Sequence, residues 1–288
     1  MRNFGLEPLG GGAGLRNEHF DAILSTKPPF RWFEVIIENV MGFGGYVREC
    51  FEEIRSNYQI IPHGVCLSIG STDPLDLEYL KQLRQFLDHI KAPWTSDHLC
   101  FTMVDHTNLN ELIPIPFSRE CARNVIERVK VVQDMLERPF LLENVTRYVT
   151  VSDREMSESE FINTVIDGSN CGLLLDVTNA HLNSKFHGYD SYEFIRSLPL
   201  DRVGQMHLAG WEDEDGQIID SHDAPVPPDV WALFRKTIAL TGPSSVLVEW
   251  DNLCPNVTRL LEETQMADAV IAEVCRDQSP SNEVVACL

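Results

Sequence analysis

Short runs, most of them rich in Val, Ile and Leu, recur along the chain at about 11–15, 31–37, 59–67, 94–99, 139–144, 172–177, 203–209 and 245–250. That composition is what strands buried on both faces require. Between the runs the apolar positions shift to helical spacing. The clearest case is Asp76 to Ile90, where Leu77, Leu80, Leu83, Phe86, Leu87 and Ile90 stand three or four residues apart. A second helix is predicted from Arg119 to Leu136, with Ser118 as its N-cap. Strand and helix therefore alternate, and the predicted fold is α/β, a (β/α)8 TIM barrel. A final helix over Asn256 to Cys275 closes the barrel. Residues 1–275 are read as a single catalytic domain and 276–288 as a flexible tail. Two stretches break the alternation, Lys185 to Tyr192 and the acidic, then proline-rich Trp211 to Pro228. Long connections at strand ends are where function concentrates.

Size agrees with this reading. The chain has 288 residues, close to the roughly 250 typical of the fold, and 43% are hydrophobic, enough for one large core and no second domain. Lys and Arg number 23 against 44 Asp and Glu, a formal charge of -21. A surface of that sign repels a polyphosphate backbone, and no basic run offsets it, so nucleic acid is not an expected partner. No apolar run reaches the roughly 20 residues of a membrane span. The eight cysteines contain no CxxC pair and the N-terminus lacks the apolar segment of a signal peptide, so a reduced, cytoplasmic protein is expected.

Polar groups of the metal-ligating kind stand where one apolar run after another ends: His63, His98, Glu143, Asp176, His207, the pair Asp220 and His222, and Glu249. In a (β/α)8 barrel those ends open onto one mouth, so sequence separation is no obstacle to contact. Four imidazoles with four carboxylates, and Asn179 as a further oxygen donor, suit zinc, iron or manganese better than calcium or magnesium. Nine groups exceed what one ion takes, so two or three ions sharing carboxylates are expected. Glu143 in FLLEN and Glu249 in VLVEW are the candidate bridges. A carboxylate after FLL or VLV in a buried strand is costly unless paired or metal-bound, and Asp176 after GLLL is the same case.

Other polar residues read as ordinary. His89 falls inside a helix and His106 lies outside the pattern. Asp213, Glu214 and Asp215 are expected to form a solvated acidic loop, with docking of a partner's basic surface as the alternative. Cys66 and Cys100 are expected to pack as small hydrophobes, and the glycines of LGGGAG to relax the first strand rather than to hold phosphate.

The runs GLR at 14–16, HGVCLSIG at 63–70, SDHL at 96–99, LLENV at 141–145, LLDVTN at 174–179, HLAG at 207–210, DSHDAPV at 220–226 and VLVEWD at 246–251 resemble the DUF692 family. Its better-understood members are the multinuclear non-heme iron-dependent oxidative enzymes. The resemblance spans about residues 10 to 255 in unbroken order. It implies one metal at His63, His98 and Glu143, and a second at Glu143, Asp176, His207 and Glu249. A third, more labile ion would sit at Asn179, Asp220 and His222. His181, two residues beyond Asn179, is an alternative ligand there. Asp97 stands where the family commonly has Glu, and Trp211 where it commonly has His. His187-Gly188 resembles the family's Asn-His-Gly motif, and Asp97 with His187 are the candidate catalytic residues.

The resemblance implies oxidation of a cysteine in a ribosomally made peptide, with two or three irons in a mixed Fe(II)/Fe(III) state and dioxygen as co-substrate. One relative makes an oxazolone and thioamide from peptidyl Cys, and another removes the β-methylene of a C-terminal Cys on the route to 3-thiaglutamate. Overall resemblance leans narrowly toward the second. The implied partners are the Cys-containing precursor peptide and a small protein that forms a heterodimer and recruits it. The ligand order also resembles endonuclease IV, a zinc phosphodiesterase, and the metal-dependent sugar isomerases. Charge argues against the first, and the second needs a mouth lysine, for which Lys185 is the one candidate. A metal-storing scaffold is the non-enzymatic rival.

Overall fold

In the computed structural model, which describes residues 2–150, 154–214 and 217–278, eight parallel strands close into a barrel. They are β1 (Gly10–Gly14), β2 (Trp32–Ile36), β3 (Gln59–Gly64), β4 (Thr95–His98), β5 (Phe140–Glu143), β6 (Gly172–Asp176), β7 (Val203–Ala209) and β8 (Ser245–Glu249). Each pairs with the next along the chain, and β8 returns to β1 with Gly12 opposite Leu247. This is the TIM barrel expected from the apolar runs, and the strands fall where the runs do.

The connecting helices are α1 (Phe20–Thr26), α2 (Gly45–Asn57), α3 (Leu77–Ile90), α4 (Arg119–Leu136), α5 (Glu158–Ser169), α6 (Val177–His187), α7 (Ser191–Arg196), α8 (Pro228–Thr241) and α9 (Val257–Gln278). In α3 the stripe Leu80, Leu83, Leu87 and Ile90 is buried, and the Asp76 carboxylate caps the first turn by accepting the Glu78 and Tyr79 amides at 2.9 Å. Ser118 caps α4 through the Cys121 amide as expected. Helix α9 runs to Gln278, so Arg276 to Gln278 are helical rather than tail. The remainder of the expected tail, 279–288, lies outside the described residues.

Side chains alternate along each strand, and those facing inward stack in layers. The lower layer is Trp32, Ile61, Trp94, Leu141, Leu174 and Leu247, with Phe4, Leu6 and Leu9 packed beneath. Two residues further along the same strands come Glu34, His63, Ser96, Glu143, Asp176 and Glu249. The barrel is thus apolar at its base and polar at its mouth. The glycines of β1 serve close approach: a Cβ on Gly12 would lie 2.2 Å from the Trp32 ring, and one on Gly11 2.2 Å from the Thr264 carbonyl of α9.

Two antiparallel hairpins were not foreseen. Cys100–Val104 pairs with Thr107–Pro114 between β4 and α4, and Glu212–Glu214 pairs with Gln217–Ile219 between β7 and α8. The second falls in the irregular stretch Trp211 to Pro228. It also takes in Asp213, which is exposed as expected, whereas Asp215 lies outside the described residues. The other irregular stretch, Lys185 to Tyr192, is the end of α6 and the start of α7.

Candidate metal centre

The upper layer of the barrel brings together what the strand ends promised. His63 Nε2 lies 3.2 Å from Glu143 Oε2, His98 Nε2 3.4 Å from the same oxygen, and the two imidazole nitrogens are 3.3 Å apart. On the other side of the carboxylate, Glu143 Oε1 is 3.3 Å from His207 Nδ1, which is 3.2 Å from Glu249 Oε2. Asp176 joins Glu143 and His207 in one cluster, and joins His222 and Glu249 in another. His222 Nε2 is 3.0 Å from Asp220 Oδ1. The two oxygens of Glu143 therefore face two different donor sets.

These separations fit a shared cation. Bonds of roughly 2.0–2.2 Å to a tetrahedral or octahedral ion set neighbouring ligand atoms roughly 3.0–3.5 Å apart. As hydrogen bonds they are poorly directed. Glu143 Oε2, Asp176 Oδ2, His207 Nδ1, Asp220 Oδ1 and both ring nitrogens of His222 are buried without a hydrogen-bond partner. Buried orphans of this kind are costly, and here they point at one another. The outer nitrogens of the first pair are satisfied: His63 Nδ1 meets Ser96 Oγ at 2.8 Å and His98 Nδ1 the Gly64 carbonyl at 3.1 Å. Each ring is thereby set to present Nε2 inward.

Electrostatics agree. Burial pushes the Asp176 carboxyl up strongly, and the charges of Glu143 and Asp220 push it further. For His207, burial disfavours the cation, yet Glu34, Glu143 and Glu249 outweigh it and hold the imidazole well above its usual range. His222 behaves alike, with Glu249, Asp220 and Asp251 overcoming burial. The site has gathered more negative charge than its own side chains balance, which is the condition a multivalent cation relieves.

Asn179 is adjacent. Its side-chain oxygen accepts the Thr146 hydroxyl at 2.6 Å and its amide donates to the Asn144 carbonyl, with the residue lining the cavity above the cluster. His181 is not there. Its ring packs at a tilt against Trp211 and its Nε2 is 3.9 Å from Asp229, so helix geometry carries it away from Asp220 and His222. Lys185 also packs on Trp211, 4.8 Å from the ring, outside the cavity.

The two candidate catalytic residues sit apart from the cluster. Strand parity turns Asp97 to the face opposite Ser96 and His98. Its carboxylate accepts the amides of Leu67 and its own neighbour His98, and burial together with nearby Glu38 raises it to about 7. His187 bonds the Arg147 carbonyl at 2.8 Å and lines a separate cavity of about 560 Å³ with Phe117, Arg147 and Tyr189. Cys100 is buried as expected, but Cys66 is half-buried on the cavity wall, its thiol pushed up to about 12 by burial and by Glu38.

Two acids were missed. Glu34, on β2, is 2% exposed and its Oε2 is 3.2 Å from His207 Nε2. Period-two alternation in RWFEVI, with Trp32 and Ile36 as its inward companions, was the available signal. Asp251 is 3.1 Å from His222 Nδ1 and is held by Arg16 at 2.8 Å. Arg16 and Asp251 lie inside motifs quoted above, GLR and VLVEWD.

Above the cluster opens a cavity of about 680 Å³. Its wall includes Tyr148, Leu112 and Ile219, and its charged members other than the ligand cluster are Glu111 and Asp251; no Lys or Arg lines it among the described residues. No described helix is long and apolar enough to cross a membrane.

Comparison with known proteins bears on this site. A family model described as RiPP precursor modification enzyme MbnB/TglH/ChrH matches residues 10–272. A UPF0276 protein of Anaeromyxobacter sp. (strain Fw109-5) is 41% identical over 264 residues, covering 92% of this chain and 93% of its own. Among solved structures, D-psicose 3-epimerase from Clostridium cellulolyticum H10 aligns with a TM-score of 0.57 at 13% identity, covering 92% of this chain and 98% of its own. Endonuclease IV from Thermus thermophilus aligns at 0.56 and 13% identity, covering 94% and 100%. At such identities the two structures share the barrel and nothing more is carried over.

Proposed function

The chain belongs to the MbnB/TglH/ChrH family of enzymes that modify the precursors of ribosomally made peptides, and from that premise we propose that it oxidises a peptidyl cysteine with dioxygen at a cluster of two or three irons. The outcome favoured by overall resemblance is loss of the β-methylene from a C-terminal Cys on the route to 3-thiaglutamate, with oxazolone and thioamide formation as the alternative. One observation supports the metal reading: unpartnered buried atoms of Glu143, Asp176, His207 and His222 cluster at the barrel mouth, where Glu143 and His222 line a single cavity. His63, His98 and Glu143 would hold one ion; Glu143, Asp176, His207 and Glu249 a second; Asn179, Asp220 and His222 a third. Bound there, iron supplies one-electron chemistry with dioxygen and a soft thiolate ligand position.

The chain's own residues do the rest. Ser96 and the Gly64 carbonyl orient His63 and His98. Tyr148, Leu112 and Ile219 offer apolar surface to the residues flanking the reacting cysteine and exclude water around it. A wall with acids and, among the described residues, without Lys or Arg supports a peptide over a phosphodiester. Lys185, turned onto Trp211, leaves the isomerase reading without its lysine.

Iron-loaded protein given a Cys-containing peptide is expected to consume dioxygen and change the peptide's mass. The zinc-loaded form should do neither, because zinc has no redox chemistry. Equal turnover by the zinc form, or cleavage of abasic DNA by it, would overturn the assignment.

The cavity holds only a cysteine and a few neighbours, too little surface for a selective complex, so a second contact away from the metals is proposed to select the precursor. A small partner protein in a heterodimer is the proposed source. Omitting it should lower turnover at least about tenfold at limiting peptide. Full turnover by a chain that elutes alone would remove the partner from the scheme.

A further inference from the structure

His207 differs from the other two buried imidazoles of the cluster in which nitrogen it turns inward. His63 and His98 fix Nδ1 against Ser96 and the Gly64 carbonyl and face the cluster with Nε2. His207 faces Glu143 and Glu249 with Nδ1, at 3.3 and 3.2 Å, and turns Nε2 down the barrel toward Glu34.

What lies below is a chain of three fully buried groups. The Trp94 indole N–H, a donor only, gives its hydrogen to Gln205 Oε1 at 2.8 Å. That fixes the amide, so Gln205 Nε2 must face the other way, where it donates to Glu34 Oε2 at 2.5 Å. The same carboxylate oxygen lies 3.2 Å from His207 Nε2. Gln205 Nε2 is also 3.0 Å from His207 Nε2, so the imidazole proton has two possible homes. A cation between Glu143 and Glu249 leaves His207 one proton, and a proton on Nδ1 would stand toward those two oxygens, at 3.3 and 3.2 Å, and leave no lone pair there for the cation. With the proton on Nε2 it goes to Glu34, and Nδ1 keeps its lone pair for whatever lies between Glu143 and Glu249.

We propose that Trp94, Gln205 and Glu34 are positioning residues that hold His207 as its Nε2–H tautomer and aim Nδ1 at the metals, and that Glu34 is not itself a ligand. The inference rests on the metal reading above. Proximity alone would admit Glu34 to a ligand set with His207 and Glu249. The direction of approach decides against it, because Glu34 meets the far nitrogen of the ring and its near oxygen is already engaged by the amide. A carboxylate on the outer N–H of a ligating histidine orients the ring and makes the inner nitrogen a stronger donor, typically at a cost of 10–100-fold in metal affinity when removed.

The test uses the whole chain with cadmium and zinc as probes. In protein loaded with 113Cd and labelled with 15N-histidine, cadmium–nitrogen coupling is expected at Nδ1 of His207 and at Nε2 of His63 and His98. Coupling at Nε2 of His207 would overturn the proposal. By competition with a chelator, Glu34→Ala should bind zinc about 10–100-fold more weakly at unchanged stoichiometry. Glu34→Gln, which keeps an acceptor for the ring N–H, should recover part of that loss, and Trp94→Phe, which removes the indole donor together with part of the buried ring, should show a smaller loss. Loss of a whole equivalent of zinc in Glu34→Gln would make Glu34 a ligand, and wild-type affinity in both Glu34 variants would make it a spectator. Should Glu34→Ala fail to fold, Glu34→Gln and Trp94→Phe decide alone. His207→Ala with undiminished metal would instead strike the metal reading itself, so the two failures are distinguishable.

Discussion

Glu143→Gln protein is expected to fold, to bind fewer metal ions than any other single ligand variant, and to lose at least about 100-fold in turnover. The reason is position. One carboxylate oxygen sits 3.2 and 3.4 Å from His63 and His98, and the other 3.3 Å from His207, so the residue serves two donor sets at once. Glutamine keeps the shape but puts a donor NH2 where one set needs a lone pair. Asp220→Ala, at the edge of the cluster beside His222, should release a single ion and spare the others. The fold should survive because Phe140 to Leu142 carry the packing of β5 and are unchanged. Metal analysis of the two purified variants, with circular dichroism as a control, checks this. An undiminished metal count in Glu143→Gln would dismantle the shared-carboxylate arrangement.

Metal loading should also raise the melting temperature by about 10 °C over chelator-treated protein. Glu34, Glu143, Asp176 and Glu249 share one barrel interior, and without a cation their repulsion and desolvation fall on the native state. A ligand present at about a thousandfold its Kd stabilises by about 4 kcal/mol. For a domain of this size each kcal/mol moves the midpoint by about 2–4 °C. Scanning calorimetry with and without anaerobic iron(II) makes the measurement, and coincident melting curves would mean that the cluster does not bind metal.

The barrel was legible because a strand buried on both faces must be apolar, so FLL, GLLL and VLV announce β5, β6 and β8, and the acid that follows each is conspicuous. Glu34 escaped because it stands inside a strand instead of at its end. Gln205 in VGQMHLA escaped for the same reason, although both lie on the inward parity of their strands. The hairpin of Cys100–Val104 with Thr107–Pro114 left no trace since its second strand is exposed from Thr107 through Leu112 and carries no burial pattern to read. Asp97 shows the converse limit. Its place in SDHL beside a ligand is visible in the sequence, but which face it takes depends on a one-residue parity that proximity along the chain does not reveal.

The sealed base of the barrel governs traffic. Trp32, Trp94 and their aliphatic neighbours, with Gln205 bonded among them, fill the interior below the cluster, and Phe4, Leu6 and Leu9 pack against the lower end. Whatever reaches the ligands arrives from above, and a peptide seated in the mouth stands in the path of any gas that follows it. On the proposed reading, arrival is therefore sequenced: a substrate that fits loosely admits its oxidant and one that fits tightly starves the reaction, so bulky flanking residues should appear as a raised demand for dioxygen before they appear as weaker binding.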